Sequence, residues 1–519
     1  MKKFIAPLLV GAAISSAFAA DDLAKEVAAL KAQMAELKNA QAKMNVDALR
    51  AQVGEIKAHD AGDNIKWTVD FRTAYDIVDY KVNTTPISYG PGGAMTYNPT
   101  NQENGIWTNK LILGMASHPA DNLVFKGSLG VYKTFGQNNV DNTSMFQGFD
   151  WYGTQKPGDS SIKLREAYFL YFGDMGDVHY SASFGRRPSV DGFMTNLRAD
   201  NADPASPVGH NINMEFDGAS FKFDLDKLTG ISGLYAKICL GRGFSQTTGS
   251  YSSNVAGGFN PGYIEDSGNP DMDLAGLLVQ LYDDGQYKVM ANYFKGWNMM
   301  GANMGYYQTG YVFDSFGVPT GDYTYGAGIL GFVDVGDMTG GSLSLQVNGI
   351  GNGINDFLDD SVFFISYAFN KTDPNANTYG TIYPNGSYAT GTGMLGSTDS
   401  ETGHSYYMGV QVPGFMAGQR LGLEYNHGSK YWRSFTYGED TLAGSKLATR
   451  GDAYEIYYTM PIVGKNLTAQ LSYIYMDYDY TGSDGFFGQT GTPYEIDSPF
   501  AAGAVKSASN IRLSARYRY

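Results

Sequence analysis

Sixteen segments of this sequence alternate between apolar and polar side chains with a period of two residues. They are 64–77, 107–115, 123–133, 162–172, 178–187, 214–225, 234–242, 274–282, 287–297, 342–350, 361–370, 405–412, 419–427, 453–460, 467–478 and 510–519. In the last one, Ile511, Leu513, Ala515, Tyr517 and Tyr519 alternate with Asn510, Arg512, Ser514, Arg516 and Arg518. A period of two predicts an extended strand with one apolar and one polar face.

The connections between these segments are alternately short and long. The short ones include 117–122, 173–177, 283–285 and 461–466, and the long ones include 81–106, 136–160, 188–213, 243–271, 298–341, 371–404 and 479–509. This rhythm is typical of an up-and-down antiparallel β-barrel in an outer membrane. We therefore predict an all-β transmembrane barrel over 64–519, with sixteen strands, eighteen being the alternative. The segment 324–335 also alternates but breaks the rhythm, so we place it in a long loop, folded inward or forming a loop hairpin.

Composition and aromatic placement favour lipid over a soluble β-sandwich as the surroundings of this barrel. Charged residues make up 17% of the chain, against roughly 25% in soluble domains. Aromatic residues gather near strand ends, as in the girdles of membrane barrels. They include Trp67, Trp107, Trp297, Tyr406, Tyr407, Tyr457, Tyr458 and Tyr473. Closure would leave no unpaired strand edge in the hydrocarbon.

The N-terminal part of the chain follows a different pattern. Lys2 and Lys3 precede an apolar stretch, and Ala17 and Ala19 form an A-x-A site, so residues 1–19 are predicted to be a signal peptide. Residues 20–60 show heptad-like apolar spacing, which predicts a short periplasmic coiled-coil helix and linker. A single amphipathic helix lying on its own domain is the alternative. Cys239 is the single cysteine of the chain, so it cannot form a disulfide within it.

A set of motifs in the barrel resembles one family. The motifs are WTNKLILGM (107–115), FKGSLGVYKTFG (125–136), LREAYFLYFG (164–173), FGRRPSVDG (184–192) and FFISYAFNKTDP (363–374). They are similar to an uncharacterised domain-of-unknown-function family of porin-like outer-membrane barrels from Gram-negative anaerobes and microaerophiles, often with an N-terminal coiled coil. The resemblance spans about Ile65 to the end and implies no particular substrate. Phosphate-selective porins are similar in architecture only: they also combine a coil with a sixteen-stranded barrel and form trimers.

The end of the chain shows a further resemblance. Tyr517 and Tyr519 resemble the C-terminal signal of bacterial outer-membrane barrels, which implies recognition by the barrel-assembly machinery.

The polar faces of the strands are expected to line the lumen. The basic pore-lining candidates are Lys66, Arg72, Lys110, Lys126, Arg165, Arg187, Lys237, Lys288, Arg512 and Arg516. The acidic ones are Asp70, Glu424 and Glu455, with Glu166 ambiguous by register. Such a lumen either favours small anions, because a low-dielectric wall focuses its field, or pairs its cations with these carboxylates and with loop acids and selects weakly. Arg186 and Arg187 either bind a ligand carboxylate or phosphate, or anchor their loop to acids such as Asp191 or Asp200.

These features predict a passive outer-membrane porin for small hydrophilic solutes, with an anion preference as one option. We expect a homotrimer in the outer membrane of a Gram-negative cell, in contact with lipid and lipopolysaccharide. Motifs for an enzyme, a cofactor or a metal site are not found in the sequence, and a formal charge of −15 argues against nucleic acid as a partner. The alternatives are a barrel that encloses or docks another component, such as an electron-transfer cytochrome, and a surface adhesin or receptor.

Overall fold

The alternating segments form sixteen consecutive antiparallel strands that close into one barrel within the described part of the chain. The computed structural model describes residues 65–88, 94–95, 100–136, 149–245, 247–248, 264–265, 271–313, 318–351, 353–375, 377, 380–382, 388–390, 393–482 and 491–519. The barrel strands are β1 Lys66–Val82, β2 Thr100–Ala120, β3 Leu123–Thr134, β4 Lys163–Met175, β5 Val178–Arg187, β6 Phe216–Asp224, β7 Tyr235–Phe244, β8 Met272–Asp283, β9 Tyr287–Phe313, β10 Pro319–Asn348, β11 Val362–Pro374, β12 Thr402–Pro413, β13 Arg420–Gly428, β14 Gly451–Val463, β15 Leu467–Tyr478 and β16 Val505–Arg518. Strand β16 closes the barrel against β1, from Asp70 opposite Arg518 to Val82 opposite Val505. The predicted fold, with sixteen strands, is confirmed.

The surface pattern of the barrel is the reverse of that of a soluble protein. In β16, Ile511 and Leu513 are 42% and 53% exposed on the outside, whereas Asn510 and Arg512 are 2% and 7% exposed inside. Regular alternation of exposed apolar and buried polar side chains along barrel strands is the pattern of a barrel whose outside faces lipid. The fold is therefore that of an outer-membrane barrel.

Adjacent aromatic residues divide between the two faces of the wall. Tyr406 is 48% exposed outside, but Tyr407 is fully buried in the lumen, where its hydroxyl donates to Glu424 at 2.6 Å. Tyr457 is likewise buried, and its hydroxyl accepts a hydrogen bond from the Gln411 amide at 3.0 Å. Assigning Tyr407 and Tyr457 to the aromatic girdle was wrong, because a period of two lets only one of two neighbouring residues face lipid.

The two ends of the barrel differ in their connections. Turns such as 121–122, 176–177, 284–286 and 464–466 lie at the end where the barrel starts and finishes. There the amide of Tyr519 donates to the carbonyl of Val69 at 2.9 Å, and the amide of Val69 donates back at 2.8 Å. No helix within the described ranges is long and apolar enough to cross a membrane.

Strands β9 and β10 continue beyond the barrel as one long hairpin. Their ladder runs on from Met299 opposite Gly336 to Phe313 opposite Pro319. The segment 324–335 therefore extends β10, and the loop-hairpin form of its prediction is confirmed. A short strand pair, Gly380–Ile382 with Tyr388–Thr390, adds to this hairpin next to Met304.

The described helices are short and lie in the connections. They are α1 Asp150–Gln155, α2 Asp226–Thr229 and α3 Asp356–Asp359, with single turns at Gly393–Leu395, Lys446–Ala448 and Pro499–Ala501. The predicted signal peptide, with Ala17 and Ala19, and the predicted coiled coil lie outside the described residues.

Two long connections fold into the barrel. We call 188–215, between β5 and β6, the first inward loop, and 429–450, between β13 and β14, the second inward loop. They join each other by backbone hydrogen bonds, with Asn213 donating to Phe435 at 2.6 Å and Phe435 to Asn211 at 3.0 Å. Together the two loops fill part of the lumen with packed side chains.

Candidate functional site

A polar cavity of about 510 Å³ lies inside the barrel. Strands β14 to β16 and β1 to β4 form its wall, and both inward loops contribute to its lining. The strands place every second side chain in the lumen, so the polar faces predicted from the sequence become the cavity wall. This cavity is the candidate functional site.

Ion pairs between wall strands and loops surround the cavity. On the wall, Arg516 binds the carboxylate of Asp70, and its Nη1 also donates to the carbonyl of Ala199 at 2.6 Å. Arg518 pairs with Asp200 at 3.0 Å. The middle of the first inward loop is thus held to β16 by charge-assisted hydrogen bonds, which are stronger than neutral ones.

Asp440 of the second inward loop meets three cationic wall residues. Its carboxylate accepts from Arg72 at 2.7 and 3.1 Å, from Lys110 at 2.7 Å and from Arg512 at 3.3 Å. The hydroxyl of Tyr132 donates to it at 3.2 Å. Burial by itself would raise the pKa of Asp440, but these cations outweigh burial and hold that pKa well below its usual value.

A second buried charge cluster joins both inward loops to β13 and β14. Lys446 is 2% exposed and lies between the carboxylates of Glu424 and Glu455. Arg198 of the first inward loop contacts Glu424 at 3.4 Å and also binds Glu439 of the second. Buried charges of this kind are tolerated only when each has a partner, so the cluster fixes the relative position of the loops.

Glu215 anchors the end of the first inward loop. Arg186 contacts its carboxylate at 2.9 Å and Arg165 at 3.7 Å, while Thr154 of α1 donates to it at 2.5 Å. Arg186 also binds Asp150. Arg186 therefore anchors the loop, as one of the two interpretations expected, although its partners are not Asp191 or Asp200.

His210 of the first inward loop lies fully buried against β11 and β12. Its ring nitrogens are 2.8 Å from the hydroxyl of Ser366 and 2.9 Å from that of Ser405. Burial lowers the pKa of His210 to about 3, so the ring is neutral at physiological pH. Asn211 beside it exchanges amide hydrogen bonds with Asn292 of β9 at 2.9 and 3.0 Å.

An apolar cluster closes the lumen on the side of β8 to β10. Its buried members, which we call the inner apolar cluster, are Phe149, Trp151, Met214, Met272, Leu274, Phe294, Met299, Met300, Phe332, Val335, Met338, Met394, Leu395, Phe435, Tyr437 and Ala448. The wall and both inward loops contribute to it. The packing excludes water there, and the polar cavity lies on the opposite side of the lumen.

The structure brings seven of the ten predicted pore-lining residues to the cavity. They are Lys66, Arg72, Lys110, Lys126, Arg165, Arg512 and Arg516. The other three lie outside its lining. Arg187 donates to the carbonyl of Ala219, Lys237 lies opposite Lys222 of β6, and Lys288 pairs with Asp283 and lies over the ring of Phe193.

The cavity lining carries equal numbers of basic and acidic side chains. The basic ones are Lys66, Arg72, Lys110, Lys126, Arg165, Arg198, Arg512 and Arg516, and the acidic ones are Asp70, Glu166, Asp191, Asp200, Asp203, Glu439, Asp440 and Glu455. Five of the acids, from Asp191 to Asp440, belong to the inward loops. The sequence allowed loop acids to pair with the wall cations, but it did not identify which acids these would be.

A signal for the inward loops was present in the sequence. Val190, Phe193, Met194 and Val208 in the first loop are all buried, and such apolar content is unusual for a loop in water. The same holds for Trp432 in the second. Groups of histidine, cysteine, aspartate or glutamate that could hold a metal ion are not found among the described residues.

A family model matches residues 100–519, which is most of the chain. The family is described as "Protein of unknown function (DUF3373)". The chain belongs to this family. Its predicted resemblance to a family of unknown function is confirmed, and a comparison with curated proteins finds no match.

Several solved outer-membrane proteins are similar to this DUF3373 chain in overall structure. OmpT of Vibrio cholerae is 12% identical with a TM-score of 0.40, over 89% of this chain and 99% of that one. OprB of Pseudomonas putida at high pH is 12% identical with a TM-score of 0.40, over 88% and 94%. OmpF of Salmonella typhi, solved with daunomycin, is 9% identical with a TM-score of 0.40, over 88% and 98%.

Proposed function

We propose that the protein is an outer-membrane channel of the porin type that passes small hydrophilic solutes by passive diffusion. The observation that carries this proposal is the polar cavity of about 510 Å³ inside a closed sixteen-stranded barrel. A barrel of this strand number is wide enough for an aqueous lumen, whereas eight strands are filled by their own side chains. The side chains of the cavity wall provide charges and hydrogen-bonding groups, which suit the passage of hydrophilic solutes rather than a chemical reaction.

The inward loops make this a narrow channel. They cross the lumen and pack against β8 to β12, which leaves room for solutes on the side of β14 to β16 and β1 to β4. We expect a low conductance and a strict size limit. The balanced charge of the lining supports weak selectivity between anions and cations, rather than a strong anion preference.

The alternative of a barrel that encloses another component, such as an electron-transfer cytochrome, receives less support from this interior. A barrel that encloses another component needs free space, but the inward loops and the inner apolar cluster occupy much of the lumen. We keep the periplasmic coiled coil, the homotrimer and contact with lipopolysaccharide as parts of the proposal. Cross-linking of the purified protein at low concentration tests the trimer.

Liposome swelling and single-channel recording test the proposed channel. Purified, folded protein should admit small sugars such as glucose into liposomes and give discrete current steps in planar bilayers. Folding is checked independently by the change in gel mobility between heated and unheated samples. A folded sample with neither sugar entry nor current would contradict the proposal.

A further inference from the structure

Asp440 occupies a position on the cavity wall that is built to hold a carboxylate. Arg512 of β16, Arg72 of β1, Lys110 of β2 and Tyr132 of β3 all reach it from consecutive strands. Arg72 donates to both oxygens, at 2.7 and 3.1 Å, in the two-point geometry that a planar guanidinium makes with a carboxylate. The ligand in this pocket is the chain's own side chain.

The charge at this position calls for an anion. Arg72, Lys110 and Arg512 supply three positive charges, and Asp76, which binds Arg512 at 2.7 Å, supplies one negative charge besides Asp440. If Asp440 withdrew, three cations would face one carboxylate in a poorly solvated wall. Uncompensated buried charge is costly, so another anion is favoured in the vacated place.

The wall also has unused donors and access to the cavity. Among the described residues, Nε of Arg72 and Nη2 of Arg512 are buried without a hydrogen-bond partner. Arg72, Lys110, Arg512 and Asp440 all line the cavity, and the Asp440 side chain is 20% exposed to it. A solute in the cavity can therefore reach the same donors that hold Asp440.

We infer that Arg72, Lys110, Tyr132 and Arg512 form a binding site for the carboxylate group of a small organic acid, and that Asp440 occupies this site until a solute displaces it. The inference rests on the proposed channel and names its preferred solute class. Phosphate could use the same donors, since a guanidinium makes two-point contacts with both anions, but the group that these donors hold in the structure is a carboxylate, which favours this class.

Anion-dependent stability of an Asp440→Ala variant tests the site without relying on conduction. A ligand that binds the folded state raises its unfolding temperature in a saturable manner. In detergent, sodium acetate titrated against sodium chloride at constant ionic strength should raise the midpoint of Asp440→Ala but not that of the wild type. Asp399→Ala removes an equal charge from an exposed loop position and serves as the matched control.

Two further arms sharpen this measurement. Arg72→Gln added to Asp440→Ala should abolish the acetate effect. Sodium phosphate should stabilise Asp440→Ala less than acetate does. An acetate response no larger in Asp440→Ala than in Asp399→Ala, or a response to phosphate alone, would overturn the inference.

A second variant keeps the test decisive if Asp440→Ala does not fold. Arg72→Lys, made in an Asp440→Asn background so that the chain's own carboxylate no longer competes, keeps the charge but loses the two-point contact. The measured quantity is the rate of gluconate entry into liposomes divided by that of glucose, at low gluconate concentration. We expect this ratio to fall about tenfold, because one charge-assisted hydrogen bond to the carboxylate is lost. If glucose entry is normal and the ratio is unchanged, the carboxylate site is refuted but the proposed channel is not. If the wild type admits no glucose, the proposed channel itself is refuted.

Discussion

The two sides of the lumen hold the inward loops by different forces. On β8 to β11 large apolar side chains such as Leu278, Phe294 and Met338 point inward and pack against apolar loop residues, beside neutral hydrogen bonds such as that of Asn211 with Asn292. On β16, β1 and β2 the inward side chains are charged, and the loops bind there through ion pairs such as that of Arg72 with Asp440. One barrel therefore contains a packed side and a polar side.

In the proposed channel, this difference predicts where a solute can pass. Apolar packing offers no polar group to a hydrated solute, and opening it would expose apolar surface to water. Ion pairs beside a water-filled cavity can exchange partners with a solute at much lower cost, because one set of charge-assisted hydrogen bonds replaces another. Variants on the two sides should accordingly have different consequences.

The largest expected effect comes from the charge cluster that joins the loops to β13 and β14. Lys446→Met leaves Glu424 and Glu455 without their shared cation in a buried site. Loss of one partner from such a cluster should weaken loop docking by about 4 kcal/mol. Limited proteolysis of the loops and denaturant unfolding of the folded barrel would measure this loss. Lys430→Met, at an exposed position of the same loop, is the control, and a Glu424→Gln, Glu455→Gln background should recover much of the loss.

A somewhat smaller effect is expected on the packed side. Phe435 is fully buried and contacts Phe294 and Phe216 with ring centroids 5.6 and 6.2 Å apart. Phe435→Ala should cost about 3 kcal/mol of loop docking, the lower end for such a change, because flexible methionines in the same cluster fill part of the cavity. Bilayer recordings should show larger current steps. Phe500→Ala at a 77% exposed position should change neither property, and equal behaviour of the two variants would argue against a packed closure.

The barrel could be predicted from the sequence because its signal is local. In β16, from Asn510 to Tyr517, polar residues face the lumen and apolar residues face outward, so the type of each residue predicts its side. The number of strands and the lumen-facing residues therefore follow from a period of two. The family resemblance could also be recognised from local sequence, because most of its motifs lie on strands. Seven of the ten basic candidates reach the cavity on this basis.

The site could not be predicted, because its partners are distant and its loops have no period. Arg72 and Asp440 are 368 residues apart, and nothing near Asp440 in the sequence predicts that β1 holds it. Loop sequences are determined by the residues that turns require, and they lack a periodic pattern that would predict which side chains point into the lumen. Only their apolar content, as at Phe193 and Trp432, distinguishes them from loops in solvent.

The pH dependence of loop docking would isolate the polar side. At neutral pH, Asp440→Asn should weaken docking by about 2 kcal/mol, because the hydrogen bonds from Arg72 and Lys110 lose their charged acceptor. The pKa of Asp440 is lowered by the fold, so its contribution is complete above the unfolded value of about 4 and is lost as the pH falls through the folded value. The difference between wild type and Asp440→Asn should therefore stay constant from pH 7 to 5 and shrink only below about pH 4. A difference that already vanished near pH 6 would exclude Asp440 as the responsible carboxylate.

The smallest effect is expected for ion selectivity at the short-turn end of the cavity. Lys66 of β1 and Lys126 of β3 both lie opposite Ala116 of β2, and within the described residues neither has a carboxylate at ion-pair distance. The charges of the other cations in the lining are largely neutralised by nearby acids. Any anion preference of the proposed channel should therefore come mainly from these two lysines. Lys66→Gln with Lys126→Gln should shift the reversal potential in a salt gradient by a few millivolts toward cations, most clearly at low ionic strength, where screening is weakest. Lys465→Gln in the turn before β15 removes an exposed charge away from the cavity and should leave the potential unchanged; a shift of the same size there would assign the preference to the surface charge of the rim instead.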